Sequence, residues 1–90
     1  MDIYQNIRDG KYVVKDVPYV PYGEDKEKHM AWRKEEGRLI DLFYADVKEE
    51  LGITDNPKAD KLMSKAWDKG HSGGLWDVYI EAQDMVDLIK

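Results

Sequence analysis

From about Asp25 to Leu51 the chain reads as one uninterrupted helix, 27 of its 90 residues without a proline. Trp32, Leu39, Ile40, Phe43, Val47 and Leu51 fall on one face at helical spacing. Lys34, Glu35, Arg38, Asp41, Lys48 and Glu49 fill the other. Gly52 stands where a helix C-terminal stop belongs. So long an element in so short a chain leaves room for little besides other helices packed on its apolar face. Its first turns, around His29, Trp32, Arg33 and Glu36, extend past the core.

The remaining segments carry their own punctuation. Asp2 can cap a short helix over Ile3 to Arg8, with Gly10 as its stop. In Lys11 to Gly23, Pro18 and Pro21 forbid a helix, and the Val and Tyr content favours extended chain. With no second strand to pair with, this is an arm. Asn56-Pro57 is a helix start, Asn as N-cap and Pro at the first helical position. Ala59, Leu62, Met63, Ala66 and Trp67 form the apolar face that follows. Leu75, Val78, Tyr79, Ala82, Met85, Val86 and Ile89 form another.

The two stripes are out of phase by roughly 130° at 100° per residue, and each interior glycine costs about 1 kcal/mol relative to alanine. A break or kink at Gly70 to Gly74 is therefore expected, with Ser72 as a possible new N-cap. The alternative is a continuous helix whose glycines admit a close neighbour. The fold expected is all-α: a small helical domain of about three main helices plus a short N-terminal helix and an extended Pro/Tyr arm. One domain spans 1–90, with helix and arm over 1–23 and the helical core over 24–90.

Charge and composition narrow the function. A net charge of -5 argues against nucleic-acid phosphate and an anionic membrane surface. The surface acids, Asp46, Glu49, Glu50, Asp77, Glu81, Asp84 and Asp87, are too spread over helix faces for mimicry of nucleic-acid charge. No apolar run reaches membrane-spanning length, there is no cysteine, and no signal-peptide pattern opens the chain. Three Trp and six Tyr suit both small cores and interfaces.

The densest chemistry lies in Trp67-Asp-Lys-Gly-His-Ser-Gly-Gly-Leu-Trp76. Free backbone N–H groups at the start of the last helix, with His71, Ser72, Gly73 and Gly74, form a candidate anion or nucleotide site, to which Lys61, Lys65 and Lys69 add positive charge. The competing reading is a helix–helix corner. The segment lacks the Lys-Ser or Lys-Thr pair of a phosphate-binding loop and the preceding strand of a nucleophile elbow. Adjacent His71 and Ser72 with Asp68 do not make a triad, and Asp68 with His71 reads as a local pair. Two histidines distant in sequence do not suggest a metal site. No catalytic set, metal or cofactor is expected. Tyr12, Tyr19 and Tyr22 in the arm, with Trp32 and Trp76, offer contact area for a partner protein, and the compatible alternative is an arm that wraps along the domain and covers helix faces.

Several segments resemble a group of small proteins encoded by tailed bacteriophages. They are Ile3-Tyr-Gln-Asn-Ile, Arg33-Lys-Glu-Glu, Glu50-Leu-Gly-Ile-Thr-Asp-Asn-Pro-Lys-Ala-Asp-Lys-Leu62 and Ala66-Trp-Asp-Lys-Gly-His-Ser72. The Asn56 to Leu62 segment with Gly70-His-Ser72 is the most specific part. The chain departs from the group in a shorter charged segment after the arm and in Gly73-Gly74-Leu75 after Ser72. The resemblance implies a phage context, a host-cytoplasmic location, and a role in host takeover or evasion of host defence. The function expected is non-enzymatic binding and modulation of a host protein, with Tyr19, Tyr22, Trp32 and Trp76 as contacts and a possible homodimer. The alternative is a small-ligand or nucleotide-binding protein acting as a signal sponge through Gly70–Gly74.

Overall fold

The computed structural model describes residues 1–90 and contains helices and connecting segments without strands. Four α-helices run in chain order: α1 (Ile3–Arg8), α2 (Lys26–Glu50), α3 (Ala59–Gly70) and α4 (Leu75–Met85). Short 3₁₀ turns follow α3 at His71–Gly73 and α4 at Val86–Leu88. No helix is long and apolar enough to cross a membrane.

Helix ends follow local chemistry. The Asp2 carboxylate accepts from the Gln5 N–H, and Asp25 does the same for Lys28, satisfying donors that have no intrahelical partner. Gly10 and Gly52 end α1 and α2 at φ +75° and +70°. At Gly52 the Ile53 N–H reaches the Lys48 carbonyl and the Gly52 N–H reaches that of Glu49. The same double closure recurs at Gly10, a geometry that glycine adopts without strain. At Asn56-Pro57 the regular helix begins two residues later than expected. Asn56 Oδ1 accepts from the Lys58 N–H at 2.8 Å, making a turn that leads into Ala59.

The stripes meet in one core. Phe43 and Val47 of α2, Leu62, Met63 and Ala66 of α3, and Val78, Tyr79 and Ala82 of α4 are buried together. Ile3, Tyr12 and Ile53 join them, so the core does not begin at residue 24: the N-terminal segment fills part of it. Tyr44 packs edge-on against Trp67 at 6.0 Å, and Lys48 pairs with Asp60. These contacts run α3 antiparallel to the C-terminal half of α2.

The break between the last two helices lies at Gly74, which has φ +92° and itself precedes α4. Ser72 is therefore not the N-cap. Gly74 takes that place because the chain there needs a backbone conformation that side chains resist. Gly70 combines both sequence readings of the glycine segment. It ends α3 and is buried against α4, where a Cβ would lie 2.7 Å from the Val78 backbone nitrogen.

All buried residues of α2 lie in its second half: Leu39, Phe43, Asp46 and Val47. The first half projects. The molecule measures 46 × 24 × 23 Å, and its radius of gyration of 14.4 Å exceeds the roughly 12 Å of a compact domain of this length.

Gly70→Ala is expected to destabilise the protein by about 1–3 kcal/mol, because the obstruction is backbone. Gly37→Ala, in open space on the projecting half, should stabilise it by about 0.5–1 kcal/mol. Urea unfolding of the two variants beside the parent measures both.

Candidate functional site

The arm is fixed at its base by a buried carboxylate. Asp46 is 6% exposed near the C-terminal end of α2. Its Oδ2 accepts the Tyr12 hydroxyl at 2.7 Å and lies 2.8 Å from Lys11 Nζ. Asn6 Nδ2 donates to the Tyr12 oxygen at 3.2 Å. Asp46 is thus no scattered surface acid: α1, the start of the arm and α2 converge on it. Burial, and then the hydrogen bond to Asp46, push the Tyr12 hydroxyl well above the usual tyrosine range. No buried side-chain nitrogen or oxygen lacks a partner.

At its tip the arm folds over the projecting half of α2. Tyr19 stands edge-on to Trp32 at 4.9 Å, and Tyr22 edge-on to His29 at 5.7 Å. His29 Nδ1 lies 2.9 Å from the Val20 carbonyl oxygen. That carbonyl can only accept, so Nδ1 carries the proton. Pro18 and Pro21 keep the segment out of helical geometry, and the His29 ring satisfies a backbone acceptor between them. The outer faces remain in water: Tyr19 is 59% exposed and Tyr22 55%. Three of the aromatics picked out in the sequence, Tyr19, Tyr22 and one face of Trp32, therefore form one surface around His29. Met30, although exposed, points roughly 100° from His29 and roughly 160° from Trp32 around the helix and lies off this surface.

Trp76 is elsewhere. It sits at the start of α4 against Tyr4, ring centroids 4.2 Å apart, with the Arg8 guanidinium 5.6 Å above its indole. It helps fasten α1 to α4 and does not share a surface with Tyr19 and Tyr22.

His71, Ser72, Gly73 and Gly74 are all exposed at the corner. The His71 ring stacks on Trp67 at 5.9 Å and 8°, and its Nδ1 donates to the Trp67 carbonyl at 2.8 Å. Asp68 is not its partner. The Asp77 carboxylate in the first turn of α4 folds back against Gly73, where any Cβ would collide with it. A negative group thus already occupies the favourable end of the helix dipole. Lys61 and Lys65 do not surround this corner. They face a groove nearer the start of α3, described below.

A family model described as a family of unknown function (DUF8546) matches residues 1–90. The chain belongs to this family. No curated protein and no solved structure matches it. Membership of DUF8546 brings no assigned chemistry, so the functional reading rests on the geometry above.

Tyr12, Tyr44 and Tyr79 all have hydroxyls pushed above the ordinary value of 10.0, each first by burial. Below that pH both folded and unfolded chains hold these protons. Above it the unfolded chain ionises first, so folding stability falls as pH rises. The urea midpoint should drop steeply above pH 10. Tyr12→Phe should flatten that fall and cost about 1.5–3 kcal/mol at neutral pH, the range for a hydrogen bond to a charged group.

Proposed function

We propose that this member of DUF8546 is a non-enzymatic protein-binding module, and that its partner docks on the aromatic end formed by Tyr19, Tyr22, His29 and Trp32. The observation that carries this reading is the half of α2 that buries nothing in the core. An accessible surface of 6027 Å² exceeds the roughly 5,400 Å² of a compact monomer of this mass. The excess of about 600 Å² approaches the roughly 800 Å² that one partner contributes to a standard interface.

A small domain gains little by holding an aromatic arm against a bare helix unless that surface is used. Tyr and Trp are enriched among residues that dominate binding energy. Here they are fixed in place by edge-on packing and by the His29–Val20 hydrogen bond, so little ordering remains to oppose association. The resemblance to small tailed-phage proteins supports a bacterial host protein as the partner, met in the host cytoplasm, and host takeover or anti-defence as the purpose.

The test is capture from bacterial lysate with the parent and with Tyr22→Ala, an exposed position. The parent should retain a specific protein, and the variant should bind it at least about tenfold more weakly while losing no more stability than the roughly 0.5–1.5 kcal/mol of one aromatic pair. Equal retention by the folded variant would remove the aromatic end from the interface and with it this reading.

A further inference from the structure

A groove of about 320 Å³ opens between the first half of α3 and the C-terminal turn. Its floor is apolar: Leu62 is buried, and Met85 and Ile89 are half-buried. Leu88 stands at the edge, 80% exposed, the most exposed large apolar side chain of the molecule. Along the other side run Lys58, Lys61 and Lys65, and no acidic residue lines the groove.

Of the 14 basic residues, Lys11, Arg33, Arg38 and Lys48 have a carboxylate within ion-pair reach. Lys58, Lys61 and Lys65 are among those that have none, and they stand together on one groove. Their spacing of three and four residues sets them in one row along α3. The groove is also preformed: Asn56 Nδ2 donates to the Ile89 carbonyl at 2.8 Å, tying the C-terminal turn to the start of α3.

We propose that this groove docks an acidic segment of a partner protein, with one or two of its apolar side chains on the floor and its carboxylates against Lys58, Lys61 and Lys65. The volume lies near the lower limit of small-molecule pockets, roughly 300–1,000 Å³, and the groove is partly open to solvent. A free small molecule would be only partly enclosed there. An apolar side chain delivered by its own backbone needs only the floor, and the flanking charges then select the partner and speed the encounter. Nucleic acid supplies anions but no aliphatic group for Leu62, Met85 and Leu88. Because α3 runs antiparallel to α2, the groove lies at the far end of the molecule from Tyr19 and Tyr22. The proposal therefore stands independently of the aromatic surface.

Selection from a random-peptide display library on the purified protein tests it. Enriched peptides should carry Asp or Glu beside Leu, Phe or Trp. They should bind the Tyr22→Ala protein as well as the parent. They should bind Lys61→Glu/Lys65→Glu at least about tenfold more weakly, with that variant's melting temperature confirming that it is folded. Failure to enrich, enrichment without acidic residues, or equal binding to the charge-reversed protein would overturn the proposal. A parent that sediments as a dimer, and becomes monomeric on Leu88→Glu, would overturn it as well, because the occupant would then be a second copy.

Discussion

The Asp46 carboxylate is the constraint on which the arrangement of this protein depends. A charge taken out of water needs both an opposite charge and hydrogen bonds to remain there. Lys11 and the Tyr12 hydroxyl supply them from the chain just after Gly10, and Asn6 of α1 donates in turn to the Tyr12 oxygen. Lys11 and Tyr12 reach Asp46, and Asn6 reaches Tyr12, only if α1 lies across α2 and the chain then turns back along it. The network therefore selects the course of the arm, not merely its attachment. Removing one partner would strand the others in a poorly hydrated place, which is costlier than never having buried them.

From that point the arm has one direction to run, along the half of α2 that no other helix covers. α3 and α4 pack on each other and on the second half of α2, bringing their backbones close where Gly70 meets Val78. The first half of α2 is left to the arm, which covers part of it with Tyr19 and Tyr22. Edge-on aromatic pairs of this kind are worth about 0.5–1.5 kcal/mol each beyond their burial, enough to hold the arm down without hiding its outer face. The result is a rigid aromatic end on an acidic body, with a lysine-edged groove at the other extremity. On the readings proposed above, both features present side chains for recognition.

Helix number and helix ends were legible because their signals are local. Asp2, Asp25, Gly10 and Gly52 act on the backbone within a turn of themselves, and the apolar stripes mark which faces must meet. Asn56 has the chemistry of a cap, and its side chain does make a capping turn, though the regular helix starts later. The corner was legible as a break but not in detail. Ser72 has the chemistry of a cap, yet the positive φ needed before α4 falls on Gly74, and no residue pattern distinguishes adjacent glycines for that role. By its charge Asp46 belongs with the surface acids. Its position three residues after Phe43 and one before Val47, on the buried stripe, was the signal that it has buried partners. The joining of Tyr19, Tyr22 and Trp32 depended on where the arm folds, which Tyr12 decides from a distance. The groove depended on pairing α3 with the end of α4, a long-range fact that spacing along one helix does not contain.

The account stands most directly on the claim that the Asp46 network holds the arm against the projecting half of α2. Residue-resolved amide hydrogen exchange on the folded parent and on Tyr12→Phe measures this. Exchange in the variant should quicken selectively over residues 14–36, the arm and the helix turns beneath it, while α3 and α4 keep their protection. Unchanged exchange in that segment, or a uniform increase across all four helices, would contradict the account and reduce Asp46 to one more core contact.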